Sequence, residues 1–223
     1  MSSSSPLLTR NFRELESVVA YHVKEDKVAQ GSYETCHIGC LAKGEDDPDY
    51  IKTEYGIPVI ITRIQETIFE NLEPNEAVKF FASFPSAVAC DGKDLTGVGW
   101  QFLASELRNL PEVESDIQAV IDPIIKGLDL LAAGKPWPEA DVAYYAAFDA
   151  AYDSIFALLP SLAFAAAYAV RTAAYDTYYA AFAAVQFTHH VTEAASQADR
   201  AATRLRQRDT LLKLISEAPV RGN

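Results

Sequence analysis

Three cysteines and four histidines are the residues in this chain best suited to metal or nucleophilic chemistry. The tightest grouping is Cys36-His37-Ile38-Gly39-Cys40. On a helix, Cys36 and Cys40 stand one turn apart on the same face, a spacing that can hold one metal ion. Cys90 and a histidine such as His22 bring this candidate ligand set to four. Cysteine-based zinc sites usually pair two short-spacer knuckles, however, and no second pair occurs here. The simpler expectation makes Cys36 and Cys40 small buried residues facing a core, with Gly39 allowing a close helix contact. A cysteine nucleophile would need a nearby base and a depressed pKa. His37 is adjacent in sequence, but successive helical residues point about 100° apart.

Other motifs are weaker. His189-His190 cannot both face one core, so a satisfied structural histidine is the expectation there, with a pH-sensitive contact as the alternative. Asp149, Asp153 and Asp176 lie among tyrosines, where Asp at i and i+4 reads as a solvated stripe more simply than as an acid–base pair. The di-iron carboxylate pattern needs Glu-x-x-His on two helices, and the chain does not hold two. Glycine-rich phosphate loops and the Gly-x-Ser-x-Gly elbow are missing as well.

The elements that must position these residues follow from composition and periodicity. With 49% apolar and 22% charged residues over 223 positions, the chain has ample surface to bury. Its net charge of −12 opposes binding to nucleic acid or anionic lipid and would suit a basic partner. The longest uncharged run, residues 154–170, contains Pro160 and is rich in Ala, unlike the strongly apolar stretch of about 20 residues that spans a bilayer. An odd number of cysteines and a serine-rich start without a basic and apolar leader point to a cytoplasmic protein.

Character changes near residue 135, where Gly134-Lys135-Pro136-Trp137-Pro138 separates mixed usage from an Ala- and aromatic-rich stretch. We therefore read an all-α protein with a short-helix domain at 1–134 and a long-helix hairpin or bundle at 135–223. In the first part, helices are expected over Asn11 to His22, Ser32 to Ala42, Ile57 to about Leu72, Pro74 to near Pro85, Leu95 to Leu110, and Glu112 to Leu131 with an interruption at Pro123. A short ribbon through Ile57 to Ile61 or Ser86 to Cys90 is the alternative at those positions. In the second part, Tyr144, Phe148, Tyr152 and Phe156 make an aromatic ridge at four-residue spacing. Ser161 onward reads as a long helix, continuous to Ser216 or broken near His189. Its basic end, with Arg200, Arg204 and Arg208 on one face, complements the helix dipole and could also pair with the acids of residues 45–49.

Several of these segments together resemble a loose group of uncharacterised bacterial proteins. The residues concerned are Gly31-Ser32 with Cys36-x-Ile38-Gly39-Cys40, Tyr55-Gly56-Ile57-Pro58, Glu66-Thr67-Ile68-Phe69-Glu70 before a proline, and the Ala-rich tail ending Arg206-Gln207-Arg208-Asp209-Thr210-Leu211-Leu212. They cover about a quarter of the chain. The resemblance implies an organisation and brings no catalytic residue, cofactor or activity with it.

The leading expectation is a non-enzymatic interaction protein that binds a protein partner or a second copy of itself. Tyr and Phe in residues 138–216 cover more than one helical face, more than a narrow seam buries. A metal- or thiol-dependent enzyme or sensor centred on Cys36, Cys40 and Cys90 is the alternative. A third reading is an acidic inhibitor of a basic protein. No cofactor is expected.

Overall fold

The computed structural model describes residues 7–32, 34–110, 115–153, 168 and 199–221, and the described residues are all-helical with no strand or sheet. In chain order the helices are α1 (Phe12–Lys24), α2 (His37–Leu41), α3 (Pro48–Tyr55), α4 (Val59–Asn71), α5 (Pro74–Val88), α6 (Val98–Arg108), α7 (Ser115–Ala132), α8 (Ala140–Asp153) and α9 (Arg200–Glu217).

Local chemistry sets most of the boundaries. Asp47 Oδ1 accepts from the Tyr50 amide at 2.9 Å and Pro48 fills the first position, so α3 starts there. Gly56 ends it at φ 70°, and a Cβ at Gly56 would fall 2.0 Å from the Leu8 carbonyl oxygen. Pro58 precedes α4, and Pro74 occupies the first turn of α5. Cys36, with extended backbone, is the N-cap of α2, and its Sγ accepts from the Gly39 amide at 3.4 Å.

Several boundaries differ from the sequence-based expectation. No helix runs from Ser32. Gly31 has φ 77°, its amide donates to Glu70, and Gln30 Nε2 donates to the Phe69 and Leu72 carbonyls at 2.6 and 2.8 Å. This segment therefore caps the C-terminus of α4, and only His37–Leu41 is helical. Helix α5 runs through Pro85 and α7 through Pro123, because proline's fixed φ suits a helix and each ring removes only one backbone bond. Helix α6 begins at Val98 rather than Leu95, since Asp94 Oδ1 takes the amide and hydroxyl of Thr96 in a turn. Helix α3 was not expected. Both candidate ribbon segments lie largely in helices. The extended pairing occurs elsewhere, as isolated antiparallel bridges Leu8↔Asp94 and Lys93↔Val220.

The core is built on Phe69, Phe80, Phe81, Phe84 and Phe102, all fully buried, with Ile51, Ile57 and Ile61. Burying a side chain of this size contributes about 1.5–3 kcal/mol each. Helix α5 packs on α1, α4 and α9; α9 also packs on α4 and α6; α7 lies between α6 and α8. The C-terminal helix thus closes over the short helices, anchored by buried Gln207, Leu211 and Ile215. No described helix is long and apolar enough to cross a membrane. The uncharged run from Ser154, the aromatic positions 156–187 other than Tyr168, Asp176 and His189-His190 lie outside the described residues.

Candidate functional site

Cys36 and Cys40 lie one turn apart on α2, close enough for Cys36 to act on the Cys40 thiol, while Cys90 and His22 lie on other elements. Cys36 lies at the N-cap of α2 and lines a cleft of about 270 Å³ with Gly31, Ser32, Glu66 and Glu70. Cys40, inside α2, directs its thiol to the Thr35 carbonyl at 3.5 Å. Cys90 is half-buried beyond α5, and its carbonyl accepts from Thr9 Oγ1 at 2.9 Å. His22 Nδ1 sits 2.9 Å from the Val18 carbonyl oxygen one turn back on α1, a contact that requires that nitrogen to carry the proton. Among the described residues, no group of three or more His, Cys, Asp or Glu side chains is placed to hold a metal ion.

Electrostatics work against thiolate chemistry. Burial pushes the Cys36 thiol up, and it pushes Cys40 up to about 12, so neither ionises readily near neutral pH. His37 is fully buried against Phe69 at 5.6 Å between centroids, and its ring nitrogens make no hydrogen bond of ordinary geometry, the Thr62 backbone being their nearest polar support. Desolvation drives its pKa down to about 3. A histidine so held is neutral and serves poorly as a base toward either thiol. Glu66, on the cleft wall, is raised by burial although Arg63 donates to it at 2.8 Å.

The seat of α9 carries a second polar cluster. Buried Lys93 donates to the carbonyls of Ala87, Ile215 and Ser216 at 2.9, 3.1 and 3.0 Å, one cation at the C-terminal ends of α5 and α9. Arg221 pairs with buried Asp94 at 2.7 Å, Arg206 pairs with Glu106 at 2.9 Å, and Arg208 pairs with Glu76. Helix α9 begins at Arg200 and has no basic residue in its last turn, so the basic stretch sits at the start of the helix, where it does not complement the dipole, and Arg206 and Arg208 engage acids of α6 and α5 instead. In residues 45–49, Asp46 binds Arg63, Asp47 caps α3 and Asp49 lies near Lys52. Beside the seat, a cleft of about 430 Å³ opens between Thr96 just before α6, Gln101 in its first turn, Ala132 to Gly134 at the end of α7, and Arg221. None of Lys93, Asp94 or Glu106 stood out in the sequence, because their partners lie on distant elements.

A third feature is the outer side of α8. Ala143 and Ala147 are buried, and small side chains let α8 approach its neighbours closely. Before it, the Trp137 indole occupies the space beside Gly127 of α7, where an added Cβ would fall 2.1 Å from the ring. On the opposite side, Val142, Tyr145 and Phe148 are 71%, 54% and 43% exposed. At 100° per residue, these three span an arc of about 120°. The Tyr144 ring, half-buried behind them, stacks with Phe148 at 6.4 Å and tilts against Tyr168 at 6.1 Å. The expected ridge is thus in place as far as Tyr144 and Phe148.

Comparison with protein-family models, with curated proteins and with solved structures finds no match to this chain.

Proposed function

We propose that this chain is a non-enzymatic interaction protein that uses the outer side of α8 to bind a protein partner or a second copy of itself. The observation that carries this reading is the exposure of Val142, Tyr145 and Phe148 on one helix. Large apolar side chains gathered on one exposed face mark association sites far more often than singly scattered ones do. The buried thiols support the same reading, since burial removes the reactivity a thiol enzyme would use.

The test is native mass spectrometry over a wide concentration range, with chemical crosslinking in the producing cells, on the native chain and on a Val142→Ser/Tyr145→Ser/Phe148→Ser variant. A complex of defined composition that the triple variant loses, while keeping its helix content, supports the reading. A chain that remains monomeric and uncrosslinked, or a complex indifferent to the three substitutions, overturns it.

A further inference from the structure

Short polar side chains on these helices commonly bond back one turn. The hydroxyls of Ser17, Thr67 and Ser83 donate to the carbonyls of Arg13, Arg63 and Lys79, and the Asn71 amide donates to that of Thr67. Thr62, on α4, departs from this pattern. The carbonyl one turn behind it, that of Pro58, already accepts the Ile61 and Thr62 amides at 2.9 and 3.2 Å. Thr62 is 1% exposed, and its Oγ1 has no hydrogen-bond partner among the described residues. Gln65, three positions on, is equally buried, and its Nε2 has no such partner either. A buried donor or acceptor left alone carries its full desolvation cost, so folded proteins satisfy these groups with protein atoms or with ordered water.

The two residues share one strip of α4. At 100° per residue, Thr62, Gln65 and Phe69 fall within an arc of about 60°. An aromatic ring on a helix leans back over the preceding turn, which here is the turn of Gln65. His37, at the start of α2, packs on the Phe69 ring at 5.6 Å between centroids and has the Thr62 backbone as its nearest polar support. The imidazole therefore lies over the same stretch of α4 as the Thr62 hydroxyl and the Gln65 amide. Its nitrogens are buried without a hydrogen bond of ordinary geometry. Desolvation keeps the ring neutral, so it offers one donor and one acceptor.

From this convergence we infer that the interface of α2 with α4 is a binding site for one ordered water molecule, held by His37, Thr62 and Gln65. The donors and acceptors match. The water accepts from the Gln65 amide, donates to the Thr62 hydroxyl oxygen, and donates to the unprotonated nitrogen of His37. Three bonds are the usual complement of a buried water. All three side chains are uncharged, which suits a neutral ligand better than an ion. Helix α2 has only five residues, too few to be stable alone. The water ties it to α4 by polar contacts in addition to packing, and Cys36 and Cys40 are positioned with it.

Oxygen-17 magnetic relaxation dispersion counts the long-lived waters that a protein holds in solution. The experiment compares the full native chain with a Thr62→Val/Gln65→Leu variant and, as a control at another buried polar side chain, with Glu106→Gln. Helix content is checked by circular dichroism. The expected result is the loss of one long-lived water in the double variant and an unchanged count in the control. In the native chain, rotating-frame cross-relaxation from the water resonance should reach the Thr62 methyl and the His37 ring protons. An equal count in the native chain and the double variant, an equal loss in Glu106→Gln, or no cross-relaxation from water at Thr62 and His37 overturns the inference. If the double variant does not fold, the cross-relaxation in the native chain decides alone.

Discussion

Arg206 reaches across from α9 to Glu106 on α6 at 2.9 Å, joining a guanidinium that is 34% exposed to a carboxylate that is fully buried. Burial raises the Glu106 pKa despite the attraction of Arg206, and its Oε2 has no hydrogen-bond partner. A carboxyl raised above its unfolded value gives stability that is present at low pH and is lost as pH climbs through the folded pKa. Chemical denaturation from pH 4 to pH 8 should show this downward contribution, and Glu106→Gln should remove it. Arg206→Ala should steepen it and destabilise the fold by about 3 kcal/mol at neutral pH, because the buried carboxylate then keeps Gln207 but no cation.

His37 acts in the opposite sense. Its folded pKa of about 3 lies below the ordinary value of 6.5, so the folded state resists protonation that the unfolded state accepts. Stability from this group is complete above 6.5 and falls as pH drops toward 3. The limiting slope is about 1.4 kcal/mol per pH unit. His37→Leu should flatten the acid limb of the stability profile. At pH 7 it should be neutral or mildly stabilising, since it removes two buried nitrogens that make no hydrogen bond of ordinary geometry. An unchanged acid limb in this variant would show that His37 is not the group responsible.

The sequence revealed those features of the molecule that are decided within a few residues. The apolar spacing of Ile61, Ile64 and Ile68 and the prolines at 58 and 74 placed α4 and α5 closely. Helix α3 had equally local signals, an Asp47 cap, Pro48 and a terminal Gly56, but its acids read as partners for the basic stretch of the last helix. The cysteine segment failed for a different reason. Ser32 is a good capping residue, yet Gln30 and Gly31 are claimed by the end of α4, some 40 positions away in sequence. Nothing in residues 30–42 alone announces that competition. The polar seat of α9 was illegible for the same reason, since Lys93 acquires its meaning from carbonyls more than 120 positions later. The aromatic side of α8 was readable because helical periodicity alone arranges it.

Gly127 and Trp137 give a test of how α8 is held. The Gly127→Ala side chain would fall 2.1 Å from the indole ring, so the ring must move. Overpacking of this kind costs about 1–3 kcal/mol. In a Trp100→Phe background, where Trp137 is the one remaining tryptophan, the substitution should shift its emission to longer wavelength as the ring gains solvent. Unaltered emission and stability would mean that α7 and α8 separate without strain.

The thiols offer a direct comparison of burial with reactivity. Cys36 and Cys40 are buried, while Cys90 is half-buried in the turn beyond α5. Alkylation proceeds through the thiolate, and a thiol with a pKa of about 12, as at Cys40, has almost none at neutral pH. Treatment of the folded chain with iodoacetamide at pH 7.5, followed by peptide mass spectrometry, should modify Cys90 first and leave Cys36 and Cys40 slow. In denaturant all three should react at similar rates, because the barrier is burial and disappears with the fold. Fast modification of Cys36 in the folded chain would contradict this picture. It would show that the cleft beside Glu66 and Glu70 admits reagent to an ionisable thiol, and would return attention to cysteine chemistry.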